Sequence, residues 1–107
     1  MSDNNLIISL VQYSPRWEDV HFNLSFLNEI LLPLRGETDL IILPEMFSTG
    51  FSMNTEKTCS NQNRVTEWMQ QQASATGAMI AGSVAVKENS RCYNRFYWVY
   101  PKGVTVI

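Results

Sequence analysis

Apolar and polar positions along the chain switch repeatedly between strand-like and helix-like spacing. Leu6 to Tyr13 (LIISLVQY) is rich in β-formers and predicts a first strand, broken by Ser14-Pro15. Asp19 predicts an N-cap for a helix running to about Leu32. Val20, Leu24, Leu27, Leu31 and Leu34 form its apolar stripe, widened by Phe22, Phe26 and Ile30. Pro33, Arg35 and Gly36 end it. Leu40-Ile41-Ile42-Leu43 is apolar at every position, which predicts a central parallel strand covered on both faces. Strand, helix and strand then make a βαβ unit with a right-handed crossover.

Residues 48–63 are polar, carry Gly50 and lack a clean period, so they predict a long loop of the functional kind. A second helix is expected over about Arg64 to Thr76, with Val65, Trp68, Met69 and Gln72 on one face and Gly77 just past its end. Met79 to Val86 reads as a third strand, Glu88 to Arg91 as a turn, and Tyr93 to Tyr100 as a fourth strand. Pro101-Lys102-Gly103 turns the chain into a fifth strand from Val104 to Ile107. The fold class is therefore α/β. The last run is apolar to its end and leaves a sheet edge unfinished. Residues 1–107 are accordingly expected to be the N-terminal portion of one longer domain.

At 107 residues, 45% hydrophobic and 17% charged, the chain is globular rather than disordered. A net charge of −2, with no Lys/Arg run among aromatics, excludes a nucleic-acid footprint. The polar Met-Ser-Asp-Asn-Asn start is not a secretory signal, and no apolar run has membrane-helix length. A cytoplasmic location and reduced cysteines are the expectation, with a Cys59–Cys92 disulfide as the alternative.

The chemistry concentrates at Pro44-Glu45. In open parallel sheets, ligands bind just beyond the carboxyl ends of the strands, where Glu45 is expected to sit as a catalytic acid or base, with a solvated turn carboxylate as the competing reading. The apolar neighbours Met46, Phe47, Phe51 and Met53 would keep water from the carboxyl and make it a stronger base. Phe47, Phe51 and Met53 are the candidate substrate-binding residues, with core filling as the competing role for this stretch. Cys59 and Cys92 lack the base or cation that activates a thiol. His21 reads as a surface residue, Lys102 as a turn residue, and Trp17 and Trp98 as packing. Asn94 either hydrogen-bonds the glutamate region or satisfies a strand end. One histidine does not make a metal site, and no metal or organic cofactor is implied. Ser-Pro-Arg-Trp after the first strand is not a glycine-rich phosphate loop.

The segments VQYSPRWEDVHFNL, TDLIILPEMFSTGFSMN and YNRFYWVYPKG, in this order and spacing, resemble the nitrilase (carbon–nitrogen hydrolase) superfamily, and within it the omega-amidase branch. The resemblance covers about Leu6 to Ile107. It implies a four-layer αββα sandwich whose subunits pair, and hence a homo-oligomer. It further implies a Glu-Lys-Cys triad in which Glu45 is the general base. The family cysteine attacks the terminal amide of a small carboxylic (2-oxo) acid, expels ammonia and leaves a thioester for water, while the lysine holds the oxyanion. The lysine and cysteine stretches of that pattern fall beyond residue 107, so Glu45 is the triad member present. The competing reading is a non-catalytic α/β fragment that associates with other chains.

Overall fold

In the computed structural model, residues 5–50, 62–103 and 105–106 are described. Strand β1 (Ile8–Leu10) leads into helix α1 (Val20–Leu31). The helix begins where expected, because the Asp19 carboxylate accepts the backbone N–H of Phe22 at 3.0 Å. It tightens into a 3₁₀ turn over Leu32–Leu34, with Pro33 inside it, and Gly36 (φ 74°) redirects the chain. Strand β2 (Leu40–Ile42) follows, then helix α2 (Gln62–Thr76). Strands β3 (Met79–Glu88) and β4 (Arg91–Val99) form a hairpin, and Thr105–Val106 is β5. Asn89 (φ 53°) and Ser90 (φ 66°) are both left-handed, as a two-residue hairpin turn requires.

The described strands form one sheet in the order β1-β2-β3-β4-β5. β2 lies between β1 and β3 and runs parallel to both, which is the central placement its composition predicted. β3, β4 and β5 pair antiparallel. The first strand is shorter than its β-forming sequence. Only Ile8–Leu10 pair fully, Val11 adds one bond to the Ile42 carbonyl (3.0 Å), and the chain then leaves toward Ser14-Pro15.

Alternation along the strands divides the sheet into two faces. The register places Ile41, Ile80, Gly82, Val84, Tyr97 and Val99 on one of them. Leu24, Leu27 and Leu31 of α1 and Val65, Met69 and Ala73 of α2 pack there, forming a single buried core. The other face carries Ile8, Leu10, Ile42, Ser83, Asn94, Phe96 and Trp98 by the same register. No described helix covers it, and Leu10 is 70% exposed and Phe96 49% exposed. The structure thus holds one helical layer and one sheet of the expected sandwich.

Candidate functional site

The Pro44–Gly50 turn carries the candidate base. It lies at the carboxyl end of β2, against β3. Leu43 still belongs to the sheet, its N–H bonding the Ala81 carbonyl at 2.8 Å. The chain then turns, and Met46 adopts a left-handed backbone (φ 53°). Such a conformation in a non-glycine residue persists only where its surroundings hold it. They do so here. The Ser83 hydroxyl accepts the Met46 N–H at 2.8 Å, and the Met46 carbonyl accepts the Gly50 N–H at 2.8 Å.

Two further elements hold the turn from the far side. Asn23 of α1 is fully buried. Its amide donates to the carbonyls of Ser48 (2.7 Å) and Arg16 (2.9 Å), and its Oδ1 accepts the Arg16 N–H (2.7 Å). The Tyr13 hydroxyl donates to the Phe47 carbonyl, and burial pushes this phenol well above its ordinary value. The Trp17-Glu18-Asp19 segment completes the clamp. The Glu18 N–H bonds the Thr49 carbonyl at 2.9 Å, and the Trp17 ring lies 3.4 Å from where a Cβ at Gly50 (φ 78°) would stand. Asn23→Ala strips partners from buried backbone groups at both ends of this clamp. It is expected to lower stability by about 2–3 kcal/mol, read as a drop in the urea midpoint with an unchanged slope. A midpoint within error of wild type would mean that water replaces the amide.

Glu45 itself is exposed, so the dry carboxyl expected from its apolar neighbours is corrected. Met46 packs on Ala85 and Phe47 is buried in the core, while the carboxylate between them and the strand end stays outside. It nevertheless lies in a concavity of about 340 Å³ lined by Leu43, Glu45, Ser83, Asn94 and Phe96. The Asn94 amide donates to Glu45 Oε2 at 2.9 Å. Asn94 therefore does hydrogen-bond the glutamate, the first of its two sequence readings. Glu45 is the only ionisable side chain among these lining residues.

Phe47 does not face this concavity. It is fully buried, packs against Trp68 (ring centroids 5.8 Å apart) and sits over Gly82, where a Cβ would come within 3.0 Å of its ring. Its expected substrate contact is corrected to a core role, because a side chain without exposed surface touches no ligand. Phe51, Met53 and Cys59 lie outside the described residues, as does most of the predicted loop. Met46 is buried with Ala85, and Cys92 packs against the pair. Cys92 is disulfide-bonded, which corrects the expectation of a reduced thiol there; sequence spacing does not report the spatial proximity that a disulfide needs.

The remaining candidates fall away from the concavity. His21 accepts a hydrogen bond from Arg64 at 2.9 Å on the outer helical side, and Lys102 is in the exposed turn after β4. Trp98 donates to the Met79 sulfur at 3.3 Å. Among the described residues there is no group of three His, Cys, Asp or Glu side chains able to hold a metal, and no helix long and apolar enough to cross a membrane.

Asn23 and Ser83 are the site-building residues that sequence reasoning missed. For Asn23 a signal existed. It lies three residues after Val20 and four before Leu27, so it belongs to the apolar stripe, where a polar side chain needs a buried partner.

Comparison with known proteins bears on the same elements. The carbon–nitrogen hydrolase family model matches residues 7–106. The omega-amidase YafV of Escherichia coli (strain K12) is 40% identical over 98 residues, which are 92% of this chain and 38% of that protein. The 2-oxoglutaramate amidase of Bacillus subtilis is 36% identical over 68 residues, covering 61% of this chain and 26% of that protein. The chain thus spans about two-fifths of the length of the omega-amidases it matches. Among solved structures, XC1258 from Xanthomonas campestris, a CN-hydrolase superfamily protein with an arsenic adduct in its active site, superposes with a TM-score of 0.89 at 39% identity. That match covers 94% of this chain and 38% of the other. On the family match and these similarities, the chain belongs to the carbon–nitrogen hydrolase family.

Proposed function

We propose that this chain carries the general-base half of an omega-amidase-type active site, which releases ammonia from the terminal amide of a small 2-oxo acid. The observation that carries the reading is Glu45, held by Asn94 in a concavity at the carboxyl end of a central parallel strand. The similarity to proteins called omega-amidase and 2-oxoglutaramate amidase supports the substrate class.

In this reading Glu45 takes the proton of a cysteine thiol supplied by sequence beyond residue 107. The thiolate attacks the amide carbonyl, and a lysine, also from beyond residue 107, stabilises the oxyanion. The departing nitrogen takes a proton and leaves as ammonia. Glu45 then draws a proton from the water that opens the thioester. Each role suits a carboxylate that is reachable from the cavity. Oε2 is engaged by Asn94, which leaves Oε1 to receive the proton. Phe51 and Met53 remain proposed substrate contacts. A homo-oligomer is part of the same reading through the family resemblance alone; the open sheet face with Ile8, Leu10 and Phe96 is the one that the second sheet of the sandwich would cover.

The test is ammonia release by the full-length protein from a 2-oxo acid carrying a terminal amide, compared with the corresponding nitrile and carbamoyl compounds. Faster turnover of the amide is the expected result. No ammonia from the amide, alongside turnover of either competitor, would remove the omega-amidase reading.

A further inference from the structure

We infer that Asn94 is a positioning residue for catalysis: its amide sets which oxygen of Glu45 faces the reacting thiol. This rests on the proposed role of Glu45 as the base and extends it to a second residue. Asn94 stands on β4 opposite Ala85 of β3, on the sheet face that borders the concavity. Its Nδ2 lies 2.9 Å from Glu45 Oε2 across a sequence separation of 49 residues. A glutamate exposed to solvent has several rotamers open to it, and one bond from a paired strand selects among them. The donor is the amide nitrogen, since a carboxylate offers no proton to the amide oxygen.

The choice of residue type has a chemical consequence. An arginine or lysine at this position would form an ion pair and lower the basicity of the carboxylate. Asparagine orients the group and adds no charge. The neighbouring cation is kept away: Arg95 pairs with Val84 in the register, so it points to the opposite face, where its guanidinium meets Glu88 at 2.7 Å. The same hairpin holds the backbone one residue beyond Glu45, through the Ser83 hydroxyl and the Met46 N–H. The β3–β4 hairpin thus fixes both the base of the glutamate side chain and its tip.

The experiment is a double-mutant cycle in the full-length protein, using Asn94→Ala, Asn94→Asp, Glu45→Gln and the Asn94→Ala/Glu45→Gln pair. Asn94→Ala is expected to lower kcat about 10-fold with little change in KM, the scale of one lost hydrogen bond to a charged group. Asn94→Asp keeps the shape but replaces the donor with a repelling oxygen, so it should lose at least as much. In the Glu45→Gln background, Asn94→Ala should change kcat little, because there is no base left to orient. Wild-type kcat in Asn94→Asp, or an equal loss from Asn94→Ala in both backgrounds, overturns the inference and leaves the base assignment standing. Wild-type kcat in Glu45→Gln alone overturns the base assignment itself. Thermal melts separate these effects from unfolding, and if Asn94→Ala melts early the isosteric Asn94→Asp decides.

Discussion

Phe47→Ala lowers the unfolding free energy by about 3–5 kcal/mol, the range for deleting a buried aromatic ring. The ring has no exposed surface, meets Trp68 at a tilt of 38°, and fills the space over Gly82, where the absence of a side chain makes room for it. Truncation leaves a void between β3 and α2 that the backbone cannot close, because Ser83 holds the Met46 N–H while Tyr13 and Asn23 hold the carbonyls of Phe47 and Ser48. Urea unfolding followed by circular dichroism measures the loss as a lower midpoint at constant slope. A loss below about 1 kcal/mol would be the behaviour of a surface residue and would return Phe47 to the list of substrate contacts.

Glu45→Gln in the full-length protein retains the melting temperature and loses at least about 100-fold in turnover, the contribution expected of a general base. The stability half follows from exposure. The side chain fills no core space, and glutamine matches its shape. The activity half follows from chemistry, since an amide accepts a hydrogen bond but takes no proton at neutral pH. Steady-state ammonia release with the terminal amide substrate checks the rate, and a thermal melt checks the fold. Wild-type turnover would exclude Glu45 from the proton transfers.

Much of the scaffold was legible because each element was specified locally. Asp19 caps α1 and Gly77 (φ 75°) follows α2; both were readable from their chemistry alone. The apolar β2 run fixed a central parallel strand, and the turn after Glu88 marked the hairpin. The site was legible only in part. Glu45 was readable because it follows the strand end. Its partner Asn94 was readable only as one of two alternatives, because the register that brings it to Glu45 depends on how β2, β3 and β4 align in space.

Phe47 shows the opposite failure. Two residues apart on a strand, Glu45 and Phe47 would share a face. The left-handed backbone at Met46 breaks that parity, so the carboxylate stays on the open face and the ring swings into the core. An apolar residue close to the carboxylate in sequence was therefore misread as lining its surroundings, when it belongs to the core.

That left-handed residue also constrains how the protein can vary. Branched side chains such as valine or isoleucine at position 46 would meet a steric penalty unrelated to amidase chemistry. Glycine would relieve it while loosening the stalk on which the carboxylate stands. The range of acceptable side chains beside the proposed base is thus narrowed by a torsion angle before any substrate has a say.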